Sequence, residues 1–279
     1  MLSSLLSATL VLLGADPAGD VLVANLQSDS VSAYHVGTGE YLGDFVEPGA
    51  GGLKAATGIA VGPDGHVYVG SAGTNQVLRY DGATGEFKDV FVESEELVGP
   101  FSLIFGPDGN LYVSSSQTKS VVCFDATTGA FLRVAASDET LQLPIGLAFG
   151  PDEMLYVANA QGNNVLRFDP DDGTLMDVFA SHDDMRFPSD VLFDGNGSLL
   201  VSSAFSGEVL AFDAESGAYV GVRAALGEGS APMGLALDDE GRLWIGDFGK
   251  SRLLMLDDES ELVLLSDEGM QGPENIVVR

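Results

Sequence analysis

A step of 44 residues runs through most of the chain and limits its fold more than any other feature. Pro100, Pro144, Pro188 and Pro232 are spaced by it and lead into FSLIF, IGLAF, SDVLF and MGLAL. The same step relates the tetrapeptides at 62–65, 106–109, 150–153, 194–197 and 238–241, which read GPDG, GPDG, GPDE, DGNG and DDEG. It also relates Tyr68, Tyr112, Tyr156, Leu200 and Trp244, and then Tyr80, Phe124, Phe168, Phe212 and Leu256, each of these five followed by Asp. A repeat of this length with no helical period points to a ring of identical β units.

One unit, Ile145 to Ala180, reads as four short strands, IGLAF, MLYVAN, NVLRFD and TLMDVF, joined by GPDE, AQGN and PDDG. Each strand is β-branched or aromatic and bounded by turn residues. Gly85, Gly129, Gly173 and Gly217 recur in the last turn, where a hairpin needs a positive φ. Four-stranded meanders at this period are propeller blades. Five units are complete. The sixth is divided between residues 21–46, which supply three strands, and Glu274–Val278, which supply the innermost one. The expectation is an all-β, six-bladed propeller, residues 16–279, closed by pairing the N-terminal strands with the C-terminal strand; closure removes exposed sheet edges.

Composition narrows the partners. With 42 acidic and 12 basic residues the formal charge is -30, which repels phosphate backbones and anionic lipid, so nucleic acid is excluded as a partner. Cys123 is alone, so no intrachain disulfide forms. Residues 1–15, MLSSLLSATLVLLGA, read as a short signal-peptide core that predicts a secreted or periplasmic protein, cytoplasmic if the run is instead a strand or follows a misplaced start. No stretch is long enough for a membrane span. A monomer is expected.

With Pro, Gly, an apolar strand, Pro-Asp-Gly, Tyr-Val and a later Phe-Asp in each unit, residues 19–279 resemble the NHL-type six-bladed propellers. That superfamily includes gluconolactonase-like lactonases, virginiamycin B lyase, peptidylamidoglycolate lyase and plain interaction modules, so the resemblance implies a fold rather than an activity.

The loops entering the innermost strands and those joining second to third strands share one face. The turns on the other face scarcely vary between blades and read as structural. Sites are therefore expected on the first face, whose loops carry Glu93–Glu96, Asp138–Glu139, His182–Asp184 and Asp267–Glu268, an acidic channel mouth. Just after the repeated Pro most blades carry apolar or small residues, but two depart, with Ser189-Asp190 and Glu274-Asn275. The lactonase resemblance implies Asp190, Glu274 and Asn275 as ligands for Ca2+ or Mg2+, since hard oxygen donors suit either ion; the alternative is that Asp190 and Asn275 hydrogen-bond neighbouring strands. Of the three histidines only His182 lies on the expected face, and it is the candidate general acid or base. Arg186 beside it, with Phe205 and Phe248, forms the candidate ligand-contacting set, Phe205 and Phe248 otherwise packing between blades. Asp247, at a second-strand end, reads as a loop tie. No nucleophile elbow or phosphate loop occurs.

Two functions remain open from the sequence. One is an exported propeller that binds a small molecule or protein on the acidic face. The other is a divalent-metal-dependent lactonase-like hydrolase or lyase at the channel mouth.

Overall fold

The repeated proline opens an innermost strand in five of the six blades: Pro100–Phe105, Pro144–Phe149, Pro188–Phe193, Pro232–Leu237 and Pro273–Val278, with Ala56–Val61 as the sixth. Proline suits a first strand position because its missing N–H costs no ladder bond there. In the computed structural model, which describes residues 19–256 and 261–279, each such strand heads a four-stranded antiparallel sheet. The expected signal segment, residues 1–15, lies outside the described residues. The six sheets are blades of one ring, numbered here from the N-terminus. Blade 1 is completed by the last strand, with Val21 opposite Val278 and Val23 opposite Ile276, so the closure predicted from sequence is present. No helix is long and apolar enough to cross a membrane among the described residues.

The core lies between blades as six apolar clusters. The second-strand aromatic of the repeat is buried in it. Tyr156, for instance, meets Phe179 and Phe193 edge-on at 4.8 and 4.9 Å between ring centres. Such contacts add about 0.5–1.5 kcal/mol each beyond the area they bury.

Two recurrent devices shape the upper face, the face of the loops entering the innermost strands. The polar residue ending each second strand ties its own blade's entry loop: Ser71 Oγ accepts Lys54 N–H, Ser115 accepts Val98 N–H, Ser203 accepts Arg186 N–H and Asp247 accepts Ala231 N–H. Asp247 is fully buried and also pairs with Arg252 at 2.8 Å, in keeping with a structural role. The second device crosses the blade boundary. Asp29, Asn75 and Asn163 sit in the left-handed region, and each accepts the N–H of the residue before the next blade's innermost strand: Ala55, Gly99 and Phe187.

Candidate functional site

Two hollows stand out, one among the innermost strands and one among the upper loops. The first is the central channel, about 400 Å3, lined by Ser102, Asp190, Asn275 and apolar residues of the innermost strands. Second positions after the strand start alternate around it: Gly58, Ser102, Gly146, Asp190, Gly234, Asn275. The glycines are required by close approach, since a Cβ on Gly146 would lie 2.5 Å from Asp190 Cα and one on Gly234 2.7 Å from Asn275 Cα.

The polar side chains between those glycines brace the ring. Asp190 Oδ1 accepts the Val191 N–H at 3.0 Å, and Oδ2 accepts the Leu235 N–H of blade 6 at 2.9 Å. Asn275 Oδ1 accepts the Ile59 N–H of blade 2 at 3.4 Å. The register shift after each strand's first residue leaves an N–H free of the ladder, and these side chains satisfy two such groups. Burial raises the Asp190 carboxyl to about 7, its two N–H donors pulling the other way.

Glu274 sits one position earlier, in the place of Thr57 and Ser189, whose hydroxyls bond across the blade boundary to the carbonyls of Pro100 and Pro232. It is 7% exposed, its Oε2 has no hydrogen-bond partner, and burial pushes its carboxyl up to about 8. Asp190 and Asn275 spend acceptor oxygens on backbone N–H groups. Among the described residues no group of three or more His, Cys, Asp and Glu is placed to hold a metal ion. The bonds of Asp190 and Asn275 leave fewer of their oxygens open to a hard cation.

The second hollow is a groove of about 720 Å3 where blades 4 and 5 meet, lined by Ala160, Gln161, Asn163, His182, Asp183, Met185, Arg186, Phe187 and Phe205. It brings together three residues singled out from the sequence, His182, Arg186 and Phe205. Phe248 is elsewhere, half-buried against the Gly272 loop, where a glycine Cβ would approach its ring to 2.8 Å.

Within the groove, Phe205 is 73% exposed and stacks on Phe187 at 4.6 Å and 19°. Phe187 has φ 57°, a left-handed conformation that a bulky residue adopts at a cost of roughly 1–2 kcal/mol. Asn163 from blade 4 holds it there by accepting its N–H at 2.8 Å. At the outer end His182 stacks on Tyr219 at 3.7 Å and 15°. Its Nδ1 accepts the Asp184 N–H at 3.2 Å and lies 3.5 Å from the Asp184 carboxylate. With Nδ1 accepting that N–H, the proton of the neutral ring lies on Nε2.

Phe187 and Asn163 are groove residues that the sequence reading did not pick out. The signal was present: the position of Phe187 holds Ala55, Gly99, Leu143, Ala231 and Gly272 in the other blades, so a large aromatic there is a departure.

No protein-family model matches the chain, and no curated protein matches it either. Solved structures do. A chain of a nidogen/laminin complex superposes with a TM-score of 0.78 at 16% identity, covering 93% of this chain and 97% of that one. A catalytically inactive variant of virginiamycin B lyase from Staphylococcus aureus, with quinupristin, gives 0.68 at 14% identity, covering 92% and 83%. A Bacteroides caccae protein of unknown function gives 0.73 at 16%, covering 94% and 98%. The chain is a six-bladed β-propeller of this shared fold. Identities this low carry the propeller's fold and nothing of its chemistry.

Proposed function

We propose that the protein is an exported binding propeller that takes a small-molecule or protein ligand on its upper face, in the groove between blades 4 and 5. The observation that carries this reading is the Phe187–Phe205 stack: an aromatic pair open to solvent, one member held at positive φ, where the other blades have small or neutral residues. The left-handed conformation itself recurs at Ala55, Gly99 and Gly272, so the bulky aromatic kept in it beside a surface hollow is the departure that points to function. The apolar run over residues 1–15 supports export, and sequencing the N-terminus of the protein isolated from its host reads whether that run is removed.

The test is amide-resolved NMR of the folded chain against a library of small aromatic and aliphatic fragments. Shifts gathered at Gln161–Asn163, Met185–Phe187 and Ala204–Ser206 support the reading. Shifts confined to the channel or to the outer strands, or no shifts at all, overturn it.

A lactonase-like hydrolase or lyase at the channel mouth is the second reading, favoured by the buried, unpartnered Glu274 Oε2. Its test is a thermal melt of chelated protein with calcium or magnesium restored at fixed ionic strength, since a ligand that binds only the folded state raises Tm. A shift lost in Glu274→Ala supports a metal there, and the absence of any shift sets that reading aside.

A further inference from the structure

The arginines of this chain are nearly all committed. Arg79, Arg133, Arg167, Arg242, Arg252 and Arg279 each lie within 4.0 Å of at least one carboxylate. Arg223 has a partner as well. Arg186 stands apart: its guanidinium has neither a carboxylate nor a hydrogen-bond acceptor among the described residues, in a chain of formal charge -30. Asp184, two residues away, faces His182 instead.

The stem of Arg186 is nonetheless fixed. Its N–H is accepted by Ser203 Oγ at 2.8 Å, and its carbonyl accepts the Phe205 N–H at 3.0 Å. That second bond ties the backbones of Arg186 and Phe205 together, while Phe187 follows directly in sequence. Around the ring the position of Arg186 is held by Lys54, Val98, Gln142, Ser230 and Gln271, and that of Phe205 by Gln27, Gly73, Gln117, Gln161 and Gly249. Blade 5 alone carries a guanidinium and two aromatic rings at these three positions, and the planar five-donor cation and the two-ring pair line the same groove.

Resting on the groove as the binding site, we propose that its ligand is a monocarboxylate bearing a flat aromatic or unsaturated ring, the carboxylate taken by Arg186 and the ring stacked on Phe205. A guanidinium fork matches a carboxylate in shape and charge, and phenylalanine faces favour an offset stacked ring. The acidic surround sets the limit of one negative charge, because a dianion meets repulsion that a single arginine does not offset.

The experiment measures binding of 3-phenylpropionate and of 3-phenylpropionamide to the wild-type chain, Arg186→Gln and Phe205→Ala, by calorimetry and by the same amide shifts, with circular dichroism melts to check folding. The wild type is expected to prefer the acid by about tenfold. Arg186→Gln brings the ratio close to one, and Phe205→Ala weakens acid and amide alike. Equal binding of acid and amide to the wild type, an unchanged ratio in Arg186→Gln, or no binding of either compound overturns the proposal. If library fragments still map to the groove in any of those cases, the binding reading survives and only the carboxylate chemistry is lost.

Discussion

The two faces of the propeller use the same side-chain types to opposite ends. On the face of the Pro-Asp-Gly turns, blades 2, 3, 4 and 6 repeat one cluster of aromatic, Asp and Arg. Tyr68, Tyr112 and Tyr156 donate their hydroxyls to Asp64, Asp108 and Asp152 at 2.9–3.0 Å, and Trp244 donates its indole N–H to Asp238 at 2.9 Å. Arg79, Arg133, Arg167 and Arg242 neutralise those four carboxylates. In blade 5 the aromatic is Leu200, and the cluster is missing. That same blade carries Arg186, Phe187 and Phe205 on the opposite face, where they line one groove and no carboxylate pairs with the guanidinium among the described residues. A satisfied cluster stabilises the fold, whereas the proposed groove leaves its cation unpaired among the described residues.

The largest effect is expected at Asp238, whose side chain is 3% exposed and accepts from Trp244, from Arg242 and from the backbone N–H groups of Glu240 and Arg242. Burial alone would raise its pKa, but those donors outweigh burial and hold the carboxyl below its usual range. Asp238→Ala strands the indole N–H and two backbone N–H groups and leaves Arg242 only the exposed Glu240, and a loss of about 2–4 kcal/mol is expected by denaturant unfolding. Truncating Arg186 to Ala strands nothing and should stay within about 0.5 kcal/mol of wild type. Equal losses at the two sites would mean that Arg186 has a structural partner and that the contrast between the faces is false.

Glu274 extends the contrast to a blade boundary, where a buried carboxyl pairs with no cation among the described residues. The folded protein keeps a proton on this group to about pH 8, whereas the unfolded chain releases it near 4.5. Stability from this group is therefore whole below about pH 4.5 and is lost as pH rises through about 8. Asp190, raised to about 7, adds a loss of the same sign over a lower window. Glu274→Gln should leave Tm near pH 5 unchanged and raise stability at pH 8.5 by on the order of 1–3 kcal/mol. Melts at the two pH values decide it, and parallel shifts at both would show that the carboxyl is not held neutral.

Much of this was legible in the sequence because the 44-residue step fixes which residues occupy equivalent places. It yielded the six blades and the split closure. It was blind where neighbours come from different blades. Phe248 and Phe205 occupy adjoining slots of their loops, yet one packs on the Gly272 loop and the other stands in solvent. Asp190 and Glu274 differ by one position, and the register shift at the strand start sends one into the channel while the other sits at the blade boundary. The link from Asn163 to Phe187 N–H joins residues 24 apart across a boundary, and nothing local to either announces it.

The smallest expected effect separates strain from function at a single residue. Gly99 and Gly272 occupy the place of Phe187 with φ 65° and 68°, a region that glycine enters without a Cβ clash. Phe187→Gly removes a cost of roughly 1–2 kcal/mol at φ 57° and loses the stack on Phe205, worth roughly 0.5–1.5 kcal/mol, while the unfolded chain gains freedom. These terms nearly cancel, so the variant should unfold within about 1 kcal/mol of wild type. Ligand affinity should nonetheless fall, because Phe205 loses the ring that fixes its plane. A loss of stability well beyond that margin would make Phe187 a packing residue, and the groove would then rest on Arg186 and Phe205 alone. Unchanged stability with weakened binding would show that a bulky ring is kept at a strained position for the ligand it helps to hold.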